Sequence, residues 1–182
     1  MSSTIDVPTS PYAGGMRWFT RAWHRGDLGD AYDYEAVVDA YWVHVQGILP
    51  LVPPSIRELA HLSLHDARFE EVTVAPQRRT IRLRLIGGDV EHGYSSLDLI
   101  YRGAVLEGME TNRFKHMVER PRTEILYDEI DTQGTGQFEH RFLIWPEGEF
   151  TIRFEDVELT RTGVSARHYS DAVGRFAPVN EP

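Results

Sequence analysis

The chain of 182 residues contains no cysteine, which excludes disulfide scaffolds, thiolate metal sites and cysteine nucleophiles together. Lysine is nearly missing as well: Lys115 is the single lysine among 19 basic residues. Against those stand 28 acidic residues, so the formal charge is −9, the wrong sign for a chain that neutralises phosphates along a nucleic acid. No apolar run approaches the roughly 20 residues that cross a bilayer, so no membrane helix is expected. Phosphate loops are missing too. Gly14-Gly15 and Gly87-Gly88 have neither spaced glycines nor a Lys-Ser/Thr ending at a helix start. Ser95-Ser96 and Ser165 lack the setting of a nucleophile elbow. What is present, 41% hydrophobic and 26% charged residues, is the balance of one folded domain.

The first fifteen residues are rich in Ser, Thr, Pro and Gly and lack the basic start and apolar core of a secretory signal. Together with the missing cysteines, this predicts a cytoplasmic protein. The expected organisation is a flexible arm over 1–15, one α+β domain over 16–160, and a loosely held tail over 161–182.

Hydrophobic periodicity divides that domain. Over 30–49, Tyr34, Val37, Val38, Tyr41, Val45, Ile48 and Leu49 recur at three- and four-residue steps, predicting a helix capped by Asp30 or Asp33. Pro53-Pro54-Ser55-Ile56-Arg57-Glu58 predicts a second helix running to about His65, opened by a capping box between Ser55 and Glu58. After Asp66 the period becomes two. Val72 and Val74, then Ile81, Leu83 and Leu85, then Leu97, Leu99 and Tyr101 alternate with polar residues, and stretches 123–130, 137–145 and 149–154 follow. Short Gly- and Pro-containing connections make such strands antiparallel. The expected fold is α+β: an N-terminal helix pair followed by an antiparallel, meander-type sheet of about six or seven strands.

Arg17-Trp18-Phe19-Thr20-Arg21-Ala22-Trp23 resembles the opening of an uncharacterised bacterial protein family of unknown function, marked by a basic–aromatic–Phe-Thr–basic segment. Leu64-His65-Asp66-Ala67 at the helix-to-strand junction is similar too, and the likeness covers about 17–69. It implies a fold and no chemistry.

Strand parity supplies a candidate catalytic site. If Trp145 pairs with Glu149, and Ile130 with Gln137, then Glu129, His140 and Asp156 share one end of an otherwise apolar face. Burying them unpaired costs several kcal/mol, so they form either a satisfied network or a cleft in which His140 is the general base and Glu129 orients it. A slip of phase near Glu155-Asp156 marks a bulge there.

His61 and His65, four apart with Asp66 adjacent, form a candidate divalent-metal site, or else a surface histidine and a His65–Asp66 pair at the junction. No cofactor is otherwise expected. Arg82 and Arg84 share a polar strand face, either paired to a neighbouring strand or free for an anion. Trp18, Phe19 and Trp23 either pack in the core or form an exposed partner-binding spot. Two functions follow. The first is a non-catalytic protein-binding module, immunity-like by analogy, whose negative charge draws a basic partner. The alternative is a small hydrolase or ligand-binding protein built on the acid–imidazole cluster or the histidine pair.

Overall fold

A computed structural model describes residues 15–29, 31–89 and 91–169. Most of the expected arm, the end of the expected tail, and Asp30 as a helix cap lie outside the described residues.

Helix α1 (Arg21–Arg25) is a single turn capped by Thr20, whose side chain accepts from the Trp23 N–H. Helix α2 (Tyr34–Ile48) starts where Asp33 accepts from the Ala36 N–H, and it buries Val37, Tyr41, Val45 and Ile48. Those four are the expected stripe. Helix α3 (Pro54–Ala60) is shorter than its sequence suggests, ending at His61 instead of about His65, and the expected capping box is absent. The reason is local: Pro54, with φ preset and no N–H to satisfy, opens the helix one residue before Ser55. The Ser55 hydroxyl donates instead to Asp156, 3.0 Å away. Helix α4 (Thr111–Val118) buries Phe114, Met117 and Val118 at the helical spacing of three and four.

The strands are β1 (Arg68–Ala75), β2 (Thr80–Asp89), β3 (Gly93–Arg102), β4 (Val105–Leu106), β5 (Glu124–Thr132), β6 (Phe138–Trp145), β7 (Glu149–Phe154) and β8 (Asp156–Val164). They form one sheet in the order β4-β7-β6-β5-β1-β2-β3-β8, with every pairing antiparallel. The α+β fold with an antiparallel sheet is as expected, with eight strands in place of six or seven. The two meanders, β1-β2-β3 and β5-β6-β7, are the expected ones. The additions are the two-residue β4 and the nine-residue β8, which takes residues 161–164 out of the expected loose tail.

Strand β7 passes into β8 through Glu155 alone, although the two stand near opposite ends of the strand order. That is possible only if the sheet curls until its ends approach. The Glu155 N–H donates to the Arg102 carbonyl at 2.9 Å, stitching the bend to the end of β3. The slip of phase expected near Glu155 is therefore real, and it marks a change of partner, from β6 to β3. Even-numbered side chains of β5, β6 and β7, among them Phe138, Phe142, Phe150, Ile152 and Phe154, join Leu83, Leu85, Leu99 and Tyr101 in one hydrophobic cluster. Phe142 and Phe150 stack at 4.5 Å. Each such burial contributes roughly 1.5–3 kcal/mol.

Candidate functional site

The hairpin of β5 and β6 closes in a different register from the one the alternation suggests. Thr132 pairs with Phe138, Ile130 with His140 and Glu129 with Arg141. Ile130 therefore meets a residue three positions beyond the expected Gln137. An odd displacement turns every side chain over. The β6–β7 register is displaced by two, with His140 opposite Ile152 and Phe138 opposite Phe154, so the faces there are kept. The consequence is a correction: Glu129 and His140 project from opposite faces of their hairpin. Asp156 belongs to neither group. It is exposed, begins β8 opposite Arg102, and accepts from Ser55. The expected Glu129–His140–Asp156 site does not exist.

On the even face, His140 is fully buried between two partners. Its Nδ1 lies 2.8 Å from the Tyr101 hydroxyl and its Nε2 lies 3.0 Å from Asp128 Oδ2. A carboxylate only accepts, so Nε2–H donates to Asp128, and in the neutral ring Nδ1 accepts from Tyr101. Burial raises the Tyr101 pKa well above its ordinary value, with the charge of Asp128 adding to the effect, so the hydroxyl keeps its proton. Asp128 was not singled out in the sequence; its even number, shared with His140, becomes a signal only once the register is known.

The odd face carries a buried ionic layer. The Arg141 guanidinium reaches Glu129 at 3.5 Å, Asp131 at 3.2 Å and Glu139 at 2.5 Å. Asp131 also meets His44 of α2 at 3.0 Å, and Arg153 pairs with Glu107 and, at 3.6 Å, with Glu139. Burial works against the Arg141 cation, but Glu139, Glu129 and Asp131 outweigh it and raise its pKa. Burial likewise pushes the Glu129 pKa up, opposed by the backbone N–H groups of Arg17, Phe19 and Trp18 and by Arg141. For Asp131 burial pushes upward too, but the Thr132 N–H, Arg141 and His44 prevail and the net displacement is downward. These charges pair with one another as a structural network does, although the buried Arg153 Nε and Glu107 Oε2 have no hydrogen-bond partner among the described residues.

A cleft of about 460 Å³ lies between α1, α4 and the β6–β7 turn. Arg21, Arg25, Arg113, His116 and Arg120 line it together with the carboxylates of Glu107, Glu147 and Glu149, over apolar ground supplied by Met109, Met117 and Phe150. Gly148 makes that packing possible: its φ is +138°, and a Cβ there would stand 2.6 Å from Met117 Sδ. Arg21 is fixed, donating to the carbonyls of Ile144 at 2.7 Å and Gly148 at 3.0 Å. Burial, and then Arg25, lower its pKa. None of the ion pairs among the described residues includes Arg25, Arg113 or Arg120. A wider hollow of about 700 Å³ on the outer strands is different, since its Arg84 is paired with Glu71 at 2.8 Å and its His168 faces Glu70 at 3.8 Å. Arg82 likewise grips Asp98, so the basic strand face expected around Arg82 and Arg84 is a paired one.

The remaining candidates fall into ordinary places. His61 ends α3, so His65 is not on its helix, and the stacking that a metal site needs is lost. His65 contacts Asp66 at 3.0 Å, both exposed. Among the described residues no three His, Asp or Glu side chains gather as metal ligands. Phe19 is buried, and Trp18 and Trp23 are half-buried. Phe19 and Trp23 both lie against Tyr127, with centroids 5.4 and 5.1 Å away, and Trp18 lies 6.2 Å from Tyr41. Sequence reasoning passed over the cleft arginines. Phe114, Met117 and Val118 could have revealed α4, and with it the outward direction of Arg113. Compared with protein-family models, curated proteins and solved structures, the chain matches none.

Proposed function

We propose that this protein is a non-catalytic binding module whose cleft between α1 and α4 takes a ligand bearing carboxylate or phosphate groups. The observation that carries this reading is the set of three arginines, Arg25, Arg113 and Arg120, that line the cleft without an ion-pair partner among the described residues, although Glu107, Glu147 and Glu149 line it too, in a chain of net charge −9. Elsewhere the sheet arginines Arg68, Arg82, Arg84, Arg102, Arg141 and Arg153 are matched to carboxylates, while Arg161 donates to the Ser95 hydroxyl. Guanidinium groups left unmatched around a concavity suit planar, bidentate anions, and the Met and Phe ground beneath suits an apolar body. His116 has no hydrogen-bond partner among the described residues, so nothing orients it as a general base. The chain-wide negative charge would still steer a basic protein towards other faces, as the composition suggests.

Calorimetric titration with citrate, and separately with inorganic phosphate, tests the cleft. Saturable binding by the intact chain, weakened at least about tenfold in R113A/R120A, is the expected result; each lost charge-assisted contact is worth roughly 1.5–3 kcal/mol. Heat changes that never saturate, or equal affinities for the two proteins, would remove the proposal.

A further inference from the structure

Among the described residues, the four consecutive N–H groups of residues 16–19 donate only to glutamate side chains. Met16 donates to Glu149 Oε2 at 3.0 Å. Arg17 donates to Glu129 Oε2 at 2.9 Å, and Trp18 and Phe19 donate to Glu129 Oε1 at 2.6 and 2.7 Å. Glu129 is wholly buried in β5, and Met16 and Phe19 are buried beside this strap. Only Thr20 separates the last of these bonds from α1, the helix that presents Arg21 and Arg25 to the cleft. A five-residue helix is not stable by itself, because one turn does not recover the cost of its nucleation. Its position must come from the strap that leads into it, together with the Arg21 bonds to the Ile144 and Gly148 carbonyls and the packing of Trp23 on Tyr127.

We infer that Glu129 is a positioning residue for the cleft: its carboxylate latches residues 17–19 onto β5 and thereby sets where α1 places Arg21 and Arg25. The inference rests on the reading of the cleft as an anion site. A carboxylate suits this latch because it has only acceptors, four lone-pair sites in all, and three are filled by strap amides. The fourth contact goes to Arg141, which ties the latch to the ionic layer beneath. In E129Q the amide NH₂ would face the Arg17 N–H, donor against donor. In E129D the charge beside Arg141 remains, but the carboxylate is withdrawn by one methylene from the strap.

The experiment measures amide hydrogen exchange at residues 17–19 and citrate affinity by calorimetry, for the intact chain, E129Q, E129D and L83A. Leu83 is fully buried in β2, away from the cleft, and its truncation reports a general loss of stability. The expected result is faster exchange at 17–19 in E129Q and E129D with citrate binding weakened about tenfold, the scale of one weakened charge-assisted contact, while L83A binds as the intact chain does. E129D keeps the test alive if E129Q does not fold. Faster exchange with unchanged citrate affinity overturns the positioning role and leaves the cleft reading standing. Unchanged exchange in the Glu129 variants overturns the latch itself. Equal weakening in L83A overturns it too, since the effect would then be general. Failure of the intact chain to bind citrate removes the cleft and the positioning role together.

Discussion

Arg141 and Phe142 are neighbours on β6, both almost inaccessible to solvent, and they are held by different physics. Phe142 faces the even side, stacked on Phe150 and lying 4.0 Å from the His140 ring. Arg141 faces the odd side, among three carboxylates. One side is an apolar interior with a single hydrogen-bonded triad in it. The other is an ionic layer roofed by the strap and by α2. The difference teaches that a strand buried on both faces need not be apolar on both; the second face can be charged if every charge has its counterpart.

The comparison is tested most severely by truncating each neighbour. F142A leaves a cavity in the even face, and R141M removes the cation that the buried Glu129, Asp131 and Glu139 share. Each is expected to cost about 3–5 kcal/mol at neutral pH, by different routes. The routes separate with pH. In R141M the three carboxylates repel one another, so their folded-state pKa values rise above the unfolded ones, and the native state binds protons more tightly. Stability then falls as pH rises through that window, so the R141M deficit shrinks on going from about pH 7 to about pH 5. The F142A deficit stays flat. Denaturant midpoints at the two pH values, at constant slope, measure this. Parallel pH dependences would mean that the odd face is not held by charge.

Within the even face, Y101F is the sharper and smaller perturbation. It removes the hydroxyl that His140 Nδ1 accepts from and leaves the ring otherwise packed, 5.0 Å from Phe154. A buried acceptor without a donor costs about 1–3 kcal/mol. Exchange protection of the Tyr101 and His140 amides should fall with the denaturant midpoint. A loss below about 0.5 kcal/mol would show that the triad is dispensable and that the even face stands on apolar packing alone.

This doubled burial also explains what could be read in the sequence. Alternation located six strands and the helical stripe of α2 correctly, because each buries one apolar set. Alternation could not tell that the charged Glu139 and Arg141 are buried. Nor could it fix the β5–β6 register. Gly134 and Gly136, both at positive φ, let the chain turn within a shorter loop, with the Gln133 N–H donating to the Gln137 carbonyl. A second irregularity between Ile125 and Tyr127 shifts the pairing again. The cleft was invisible for another reason: α1 and α4 are short, and their arginines are 88 and more residues apart along the chain, so only the folded sheet brings Arg25 near Arg113.

Asp156 supplies the smallest expected effect and a control on the whole comparison. The alternation placed it on the even face opposite Phe138; the chain has in fact left β7 at Glu155, and Asp156 stands exposed at the start of β8. The hydrogen bond its side chain accepts from the Ser55 hydroxyl joins β8 to the first turn of α3 across solvent-exposed ground. Such a contact is made by groups that water solvates nearly as well, so D156A should alter stability by no more than about 0.5 kcal/mol and leave its pH dependence unchanged. Overlaid denaturation curves of D156A and the intact chain at pH 5 and pH 7 check this. A cost of several kcal/mol would place Asp156 back inside a buried polar group, and the division of β5–β7 into a dry face and a charged face would have to be redrawn around it.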